Sequence, residues 1–244
     1  MRSLAFKTPK TCMSSQAALD PVQEALLAEP CILVDSKDRV LGTASKRDCH
    51  VMESGSSLLH RAFSLFIFNE KSELLLQQRS DTKITFPSLW TNTCCSHPLA
   101  TLEEMEDRAA LGVRKAAQRR VEIELGVENS VAAVEDIQYL TRILYSAPSS
   151  GEWGEHELDY ILFLRTSQPP VITPNVEEVQ DVEWVARTDM QDFLRDLEHR
   201  GVGITPWFRL ISQVKYGTSK HHFLISLIYL EASSILVGKP GQDR

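Results

Sequence analysis

Two apolar runs that stand close together along the chain constrain its fold most. The first runs from Ala62 to Phe68 and is apolar except at Ser64, and the second, Leu74 to Gln78, follows the polar stretch Asn69-Glu70-Lys71-Ser72. An apolar run without regular polar interruptions is typical of a strand that is buried on both faces. The pair therefore predicts a hairpin inside a sheet, with other elements packed against it.

The remaining pattern adds strands and helices on both sides of that hairpin. A capping box at Thr101-Leu102-Glu103-Glu104 indicates a helix start, with a break near Leu111-Gly112. The predicted elements are a hairpin over Cys31 to Gly42, a helix from about Val113 to Leu125, strands at Ile137 to Ser146, Leu158 to Arg165 and Val182 to Ala186, and helices at Asp189 to Arg200 and Pro206 to Tyr216. This order predicts an α/β fold in which helices pack against a mixed sheet.

Size and charge limit the class of protein. A chain of 244 residues, 43 % hydrophobic and 24 % charged, can bury one core and leave room for tails. We expect a disordered tail at 1–22, one catalytic domain at 23–216 with its core at about 58–200, and an atypical segment at 217–244. The net charge of -7 argues against binding of nucleic acid or anionic membranes, so any anion site must be local.

The N-terminal and C-terminal segments of the chain and its cysteines give information about the cellular compartment. Met1 to Ser15 holds three basic residues and no acid, which weakly resembles a transit peptide, a disordered tail being the alternative. Phe223 to Val237 is shorter than the roughly 20 residues of a membrane span, so we expect a docking helix or strand, with a tail anchor as the alternative. Five cysteines are an odd number, which favours a reducing, cytosol-like compartment over a disulfide framework.

Titratable residues stand in short, unusual contexts. Cys95 and His97 lie within Trp90-Thr91-Asn92-Thr93-Cys94-Cys95-Ser96-His97-Pro98, and Glu155 and Glu157 lie within Trp153-Gly154-Glu155-His156-Glu157. Alternate residues of a strand share a face, so the two glutamates should point together. With His50, His60 and His97 they predict a site for zinc, manganese or iron with five or six ligands; hydrogen-bonded structural histidines are the alternative. The other four histidines are interpreted as structural.

Cations fall at the ends of predicted elements. Lys46 precedes His50, and the loop that begins at Arg79 brings Lys83 close behind it, an arrangement suited to a diphosphate. A solvated surface is the alternative for each of them. Arg120 and Glu124 share one face of the predicted helix, and Glu124 could hold a magnesium ion that bridges phosphate oxygens.

The segment Arg119-Arg120-Val121-Glu122-Ile123-Glu124-Leu125-Gly126-Val127 resembles the end of the Nudix box, R-E-U-x-E-E-x-G-U. Two acidic positions of that box are Arg120 and Ile123 here. In Nudix hydrolases those acids help to bind the metals that activate water, so the resemblance implies the fold without the hydrolysis. A hydrolase of nucleoside diphosphate-X compounds is a rival hypothesis.

Four motifs in order resemble type I isopentenyl diphosphate isomerases. They are Leu59-His60-Arg61-Ala62-Phe63, Thr91 to Pro98, Trp153 to Glu157 and Thr205-Pro206-Trp207, and the similarity covers about Cys31 to Tyr216. The resemblance implies a Nudix-like α/β fold and reversible conversion of isopentenyl to dimethylallyl diphosphate, in isoprenoid and sterol biosynthesis. A catalytically inactive relative that binds metal or a prenyl diphosphate is the alternative.

The resemblance also implies roles for individual residues. Cys95 and Glu157 match the catalytic pair, Glu155 a companion metal ligand, Tyr145 an active-site hydroxyl and Trp207 the aromatic beside the hydrocarbon. Substrate contacts are implied for Lys46, Arg79, Lys83 and Ser96, with Arg120 in support. The implied metal ligands are His50, His60, His97, Glu155 and Glu157, for zinc or manganese, and Glu124, for substrate-linked magnesium.

The same resemblance frames the setting. We expect a monomer that acts on a small prenyl diphosphate without a membrane span. We also expect a cytoplasmic location; a peroxisomal one is the alternative, although Gly238 to Arg244 does not match a peroxisomal signal. Ser88 departs from the family, which usually has glycine after Phe86-Pro87, so the loop that carries Lys83 is expected to differ slightly.

Overall fold

The computed structural model of the protein describes residues 21–213, and its elements follow the predicted order. In chain order they are α1 Pro21–Leu26, β1 Pro30–Val34, β2 Val40–Ser45, α2 Lys46–His50, β3 His60–Phe68, β4 Leu74–Arg79, β5 Trp90–Thr91, β6 Cys94–Ser96, α3 Leu111–Leu125, β7 Gln138–Pro148, β8 Gly154–Arg165, β9 Val179–Val185, α4 Met190–His199 and α5 Pro206–Gln213. Within this range no helix is long and apolar enough to cross a membrane. The segment Phe223 to Val237 lies outside it.

One mixed sheet contains all nine strands, and β3 is its central strand. All nine residues of β3 are buried, as predicted from the apolar run. The strand pairs in parallel with β8 from His60 opposite Glu157 to Phe68 opposite Arg165. Its other edge is shared by β1, β6 and β4, so β4 meets β3 only at the pair Phe68 and Leu74. The two strands of the predicted hairpin, β3 and β4, are therefore paired with each other only beside the turn that connects them.

A separate hydrophobic core lies on each face of the sheet. Phe63 and Leu65 of β3 pack with α3 on one face, and Phe66 packs with α4 and α5 on the other. This alternation follows from the pleat of the strand. We call the two sides the α3 face and the α5 face. The prediction of a mixed sheet flanked by helices is confirmed.

The predicted helix start at Thr101 is wrong. The hydroxyl of Thr101 accepts a hydrogen bond from Glu104 N at 3.3 Å, but the chain makes a single turn there. A capping box also requires the Glu104 carboxylate to accept a hydrogen bond from the backbone N–H of Thr101, and this bond is not made. It accepts from Leu99 N at 2.6 Å and pairs with Arg119 at 2.6 Å. The local motif is present, but tertiary partners take its glutamate.

Helix α3 begins two residues earlier than predicted, at Leu111, and ends as predicted before Gly126. The break before it falls at Ala109 and Ala110, whose φ angles of 52° and 54° are left-handed, rather than at Leu111-Gly112. Gly112 has a different role, since a Cβ added there would lie 2.2 Å from a backbone oxygen of the 101–105 turn. Its lack of a side chain allows that turn to pack against α3.

Candidate active site

Strand alternation brings the predicted titratable residues to one face. On β6, Cys94 is buried in the core of the α3 face, whereas Cys95 packs against the core of the α5 face. On β8, Glu155 and Glu157 line the same cavity as Cys95. His156 between them turns away, with its Nδ1 2.8 Å from the carbonyl oxygen of Ser57. The expectation that the two glutamates point together is confirmed.

Three histidines from separate elements meet beside these carboxylates. His50 ends α2, His60 begins β3 and His97 follows β6, and their ring centroids lie 4.8–5.0 Å apart. One ligand atom from each of His50, His60, His97, Glu155 and Glu157 lies within 4.8 Å of all the others, and all five residues are buried. The structure thus brings together the five residues predicted as a metal site.

The hydrogen bonds around this cluster fit a cation. His50 Nδ1 lies 2.6 Å from the carbonyl oxygen of Lys46, and His60 Nδ1 lies 2.8 Å from that of Leu58. A ring nitrogen that donates to a carbonyl leaves the other nitrogen, Nε2, with its lone pair directed at the cluster. There His50 Nε2 is 2.9 Å from Glu155 Oε2, while His60 Nε2 and Glu155 Oε2 are buried without a hydrogen bond. Lone pairs that face carboxylates suit a divalent ion.

The pKa values of His60 and His97 are shifted in opposite directions. Burial by itself lowers the pKa of His60, but the Glu157 carboxylate, whose Oε1 lies 3.6 Å from His60 Nε2, raises it overall to about 9. Burial and the charges of His60 and His50 lower the pKa of His97 well below its usual value. Burial by itself raises the pKa of Glu157, yet His60 lowers it overall to about 2.

The Cys95 thiol is held at the wall of the cavity. Its Sγ accepts from the indole Nε1 of Trp207 at 3.1 Å and donates to Asn92 Oδ1 at 2.9 Å. Burial, followed by the charge of Asp159, raises the pKa of Cys95 to about 12, so the thiol carries a proton at neutral pH. Sequence reasoning did not single out Asn92, whose Oδ1 also accepts from Trp207 at 3.1 Å.

Asp159 is a buried carboxyl that sequence reasoning missed. It follows Glu157 by two residues on β8 and accepts a hydrogen bond from the Ser64 hydroxyl at 2.8 Å. That hydroxyl lies 3.8 Å from Cys95 Sγ. Burial and the charge of Glu157 raise the pKa of Asp159 well above its usual value. The period of two from Glu155 through Glu157 was the signal that could have found it.

Tyr145 and Trp207 line the cavity beside Glu157 and Cys95. The Tyr145 hydroxyl donates a short hydrogen bond to Glu157, which fixes the orientation of that carboxylate. The ring of Trp207 is buried, lies 6.0 Å from that of Tyr145 between centroids and meets Phe86 edge-on at 5.4 Å. A carboxylate, a thiol and an aromatic face thus surround one small space.

Three predicted cations line the same cavity. Lys46 begins α2, Arg79 ends β4 and Lys83 lies in the following loop. Burial, and then the positive charges of Lys83 and Arg120, lower the pKa of Lys46. The guanidinium of Arg79 donates to Thr85 O at 2.8 Å and lies 5.6 Å from the Trp207 ring centre. The prediction of a local anion site agrees with this convergence.

Arg120 and Glu124 lie on the α3 face, outside the residues that line the cavity. Arg120 is 1 % exposed and donates to Glu124 Oε1 at 2.6 Å and to Glu178 Oε2 at 3.2 Å. Glu178 also pairs closely with Lys83. Arg120 therefore reaches the anion site through Glu178, a residue that no sequence signal indicated. Glu124 stands apart from the five-residue cluster, its second oxygen accepting from Gln77 at 3.2 Å.

These groups line a solvent-open cavity of about 410 Å³, a volume that includes the solvent space at its mouth. Its lining contains most of the predicted site residues: Lys46, His50, Arg79, Lys83, Cys95, Ser96, His97, Tyr145, Glu155, Glu157 and Trp207. His60, Arg120 and Glu124 lie behind the lining.

Comparison with known proteins places this geometry in a family. Residues 58–208 match the NUDIX domain. The chain is 51% identical over 215 residues to isopentenyl-diphosphate Delta-isomerase I of Clarkia breweri, with 85% of this chain and 74% of that protein covered. The chain belongs to the isopentenyl-diphosphate Delta-isomerase family.

Other isopentenyl-diphosphate Delta-isomerases are similarly close. Identity is 48% to the chloroplastic enzyme II of Arabidopsis thaliana, covering 85% of this chain and 74% of that protein. It is also 48% to the enzyme 1 of Bos taurus, covering 80% and 85%. Lys46 and His50 precede the matched NUDIX region. In this isopentenyl-diphosphate Delta-isomerase family member, a segment before the NUDIX domain therefore supplies part of the site.

Proposed function

We propose that the protein interconverts isopentenyl diphosphate and dimethylallyl diphosphate. The observation that carries this proposal is that one cavity is lined both by the Cys95 thiol and the Glu157 carboxylate and by the cations Lys46, Arg79 and Lys83. Relatives that carry the isomerase name support the reaction. A five-carbon diphosphate matches this combination of groups, because its alkene can take up and lose a proton and its diphosphate is strongly anionic.

The chemistry needs one proton added and one removed. A proton joins the terminal alkene carbon and leaves a tertiary carbocation at the neighbouring carbon. Loss of a proton from the carbon on its other side forms the new double bond. Cys95 and Glu157 are the groups placed to deliver and to accept these protons, and because the reaction is reversible, each donates in one direction and accepts in the other.

Trp207 is placed to stabilise the carbocation without reacting with it. An aromatic face attracts a nearby cation, more strongly where water is excluded. The indole is 3 % exposed, and its N–H is engaged with Cys95 and Asn92, so the ring is held in one orientation. We propose that this ring faces the hydrocarbon part of the substrate.

The three cations of the cavity are proposed to bind the diphosphate. Lys46, Arg79 and Lys83 supply positive charge, and Ser96 adds a hydroxyl to the same lining. Charge-assisted hydrogen bonds to phosphate oxygens gain strength in a site of low dielectric. Arg120 acts indirectly, since its contact with Glu178 helps to hold the carboxylate that pairs with Lys83.

We propose that the five-residue cluster of histidines and glutamates holds zinc or manganese and that magnesium accompanies the diphosphate. When bound, an ion in the cluster supplies positive charge beside the two carboxylates. Magnesium prefers carboxylate, phosphate and water oxygens. Glu124 remains a predicted magnesium ligand; its bonds to Arg120 and Gln77 would have to open for direct contact.

The geometry of the helix supports the isomerase over the hydrolase. At the two departures from the Nudix box, Arg120 is buried against Glu124, and Ile123 is 44 % exposed. Neither side chain can bind a metal that activates water. No contact among residues 21–213 favours hydrolysis of nucleoside diphosphate-X compounds.

The wider setting is proposed from the same chemistry. Dimethylallyl and isopentenyl diphosphates are the building units of isoprenoids, so the enzyme would supply isoprenoid and sterol biosynthesis. Cys31, Cys49, Cys94 and Cys95 are free thiols in the structure, which supports a reducing compartment such as the cytoplasm. We propose, from the family resemblance alone, that the enzyme acts as a monomer.

One experiment tests the proposed function. Recombinant protein with magnesium, incubated with isopentenyl diphosphate, should produce dimethylallyl diphosphate until the two reach equilibrium. Folded, metal-loaded protein that forms no allylic product would overturn the proposal. Binding of the substrate should be measured in parallel, because tight binding without turnover identifies an inactive relative, and release of phosphate or nucleoside monophosphate from nucleotide substrates identifies a hydrolase.

A further inference from the structure

Asn92 is a fully buried amide that lies behind the lining of the cavity and is held there by the backbone. Its Nδ2 donates to Leu65 O at 3.0 Å and to Cys94 O at 3.2 Å. A carbonyl oxygen can only accept a hydrogen bond, so both contacts require the amide nitrogen and exclude the flipped orientation of the side chain. Two backbone carbonyls therefore fix the direction of Asn92 Oδ1.

The amide oxygen points at the reactive groups. Asn92 Oδ1 lies 2.9 Å from Cys95 Sγ and 3.1 Å from the indole Nε1 of Trp207. An amide oxygen carries no proton, so its contact with the sulfur needs the proton of the thiol between the two atoms. The indole N–H, which is also 3.1 Å from Sγ, approaches the same sulfur as a donor. The S–H bond of Cys95 is therefore directed at Asn92, and the indole occupies a lone pair of the sulfur.

Two buried hydroxyls join this amide oxygen to helix α5. The Thr91 hydroxyl donates to Asn92 Oδ1 at 3.1 Å, and its oxygen lies 2.8 Å from the Thr205 hydroxyl. Because Thr91 uses its proton on Asn92, Thr205 is the donor to Thr91. Thr205 directly precedes α5, the helix that carries Trp207. The loop before β6 and the start of α5 thus meet at the atom that accepts the thiol proton.

We infer that Asn92 is a positioning residue of the isomerisation, which directs the proton of the Cys95 thiol and fixes the sulfur beside Trp207. The inference deepens the proposed function and rests on it, because it takes Cys95 to exchange a proton with the alkene. Proton transfer requires the donor and the acceptor in reach and in line, so a displaced thiol reacts more slowly.

The proton transfer from Cys95 can be followed atom by atom. The thiol turns about its Cβ–Sγ bond from Asn92 to the alkene, its S–H bond breaks, and the π electrons of the alkene form the new C–H bond. A thiolate and a tertiary carbocation remain, and the indole N–H of Trp207 still donates to the sulfur. In the reverse direction the proton returns to the sulfur and is bound again by Asn92.

The test compares Asn92→Ala with Thr93→Ala, a matched control in the same loop. The buried Thr93 hydroxyl also makes two bonds to the backbone, accepting from Ile67 N at 2.8 Å and donating to Leu75 O at 2.6 Å. Neither bond involves a residue that lines the cavity. A purely structural role of Asn92 therefore predicts similar kinetics for the two variants.

Steady-state kinetics with isopentenyl diphosphate should separate the two variants. Asn92→Ala should lower kcat by about 10–100-fold, the scale of a misplaced reacting group. Its KM should stay at the wild-type value, because Asn92 lies behind the lining of the cavity and does not touch the substrate. Thr93→Ala should retain both kcat and KM.

Infrared spectroscopy measures the same hydrogen bond without turnover. The S–H stretching band of a thiol moves to higher frequency when its hydrogen bond is lost, and Cys95→Ala identifies the band of Cys95 among the five cysteines. Asn92→Ala should move that band to higher frequency, and Thr93→Ala should leave it in place. Asn92→Leu, which nearly fills the volume of the amide but has no acceptor, replaces Asn92→Ala if thermal unfolding shows that the latter is not folded.

The outcomes separate this inference from the proposed function. An equal loss of kcat in Asn92→Ala and Thr93→Ala overturns the inference, because Asn92 would then contribute packing alone. A Cys95 band that does not move, or a change confined to KM, overturns it as well. Wild-type protein without turnover overturns the proposed function, and a Cys95 band that still depends on Asn92 then supports the thiol geometry inferred here.

Discussion

Cys94 and Cys95 are neighbours in β6, yet their thiols lie on opposite faces of the sheet. Cys95 Sγ is 3.1 Å from the indole Nε1 of Trp207, and Cys94 Sγ is 3.5 Å from a carboxylate oxygen of Glu124. Burial raises the pKa of both thiols, so acidity does not distinguish them. The two thiols differ only in the face of the sheet on which they lie. Cys94 is therefore a built-in control for the role of Cys95 in the cavity.

Replacing each cysteine should give opposite results. Cys95→Ala should lower kcat by roughly 10²–10⁴-fold, the loss typical of a missing general acid or base. Cys94→Ala removes a small buried group from the α3 face and should retain most of the activity. Initial rates at saturating isopentenyl diphosphate measure both. The reverse ranking would contradict the placement of Cys95, and of Ser96 and His97 after it, in the cavity.

The parts of this site that depend on local pattern could be predicted from the sequence. A period of two places Glu155 and Glu157 together whatever the neighbouring strands are, because the pleat itself sets the alternation. Likewise, the apolar run of β3 was predicted correctly, since its burial follows from composition. The five-residue histidine and glutamate cluster followed from the motifs and their resemblance to a family.

Contacts between distant segments could not be predicted. Glu178 pairs with Lys83, 95 residues before it, and nothing in the local sequence around either residue indicates the partner. The turn at Thr101 shows the converse case, because a sound local motif lost its glutamate to Arg119 of α3. The local sequence pattern determines which residues form a helix or strand and which face of a strand a side chain takes. Which distant residue a side chain pairs with is determined only when the sheet and helices assemble.

Removing one histidine should release the tightly held ion while keeping the fold. His97→Ala deletes one of about five metal ligands. This should lower the metal affinity more than the stability of the fold, because the hydrophobic cores on the two faces of the sheet remain. Elemental analysis should find about one transition ion per wild-type chain and a marked loss in the variant, with unchanged circular dichroism. His156→Ala, whose ring turns away from the cluster, is the matched control. Wild-type protein purified without chelator that carries no transition ion would refute the prediction.

Ser88→Gly should stabilise the protein. Ser88 has a φ angle of 60°, in the left-handed region that costs a residue with a side chain roughly 1–2 kcal/mol. Glycine relieves that cost but gives up about 0.4–1 kcal/mol through a more disordered unfolded state, for a net gain of about 0.5–1 kcal/mol. Urea unfolding should show it. Ser130→Gly, at an exposed serine without a positive φ, should instead lower stability slightly. A less stable Ser88→Gly variant would contradict the strain argument.

Glu178 should make stability depend on acid pH. Burial by itself raises the pKa of this carboxyl, but the charges of Lys83 and Arg120 lower it overall to about 2. A carboxyl whose folded pKa lies below its unfolded value of about 4.3 stabilises the fold fully above that value. The contribution is lost as the pH falls from about 5 towards 2. Glu178→Gln should therefore be less stable than the wild type by about 3 kcal/mol at pH 7, because two buried cations lose their partner.

The difference between the two proteins should shrink as the pH falls, since the wild-type carboxyl then loses its charge while glutamine has none to lose. Urea unfolding at pH 7, 5, 4 and 3 measures it. Glu177→Gln is the matched control, because the contacts of Glu177 with Gln23 and Thr82 are made by its backbone carbonyl. Its stability should follow the wild type at every pH. A destabilisation by Glu178→Gln that is equally large at pH 7 and pH 3 would show that packing, and not the charge between Lys83 and Arg120, is what Glu178 supplies.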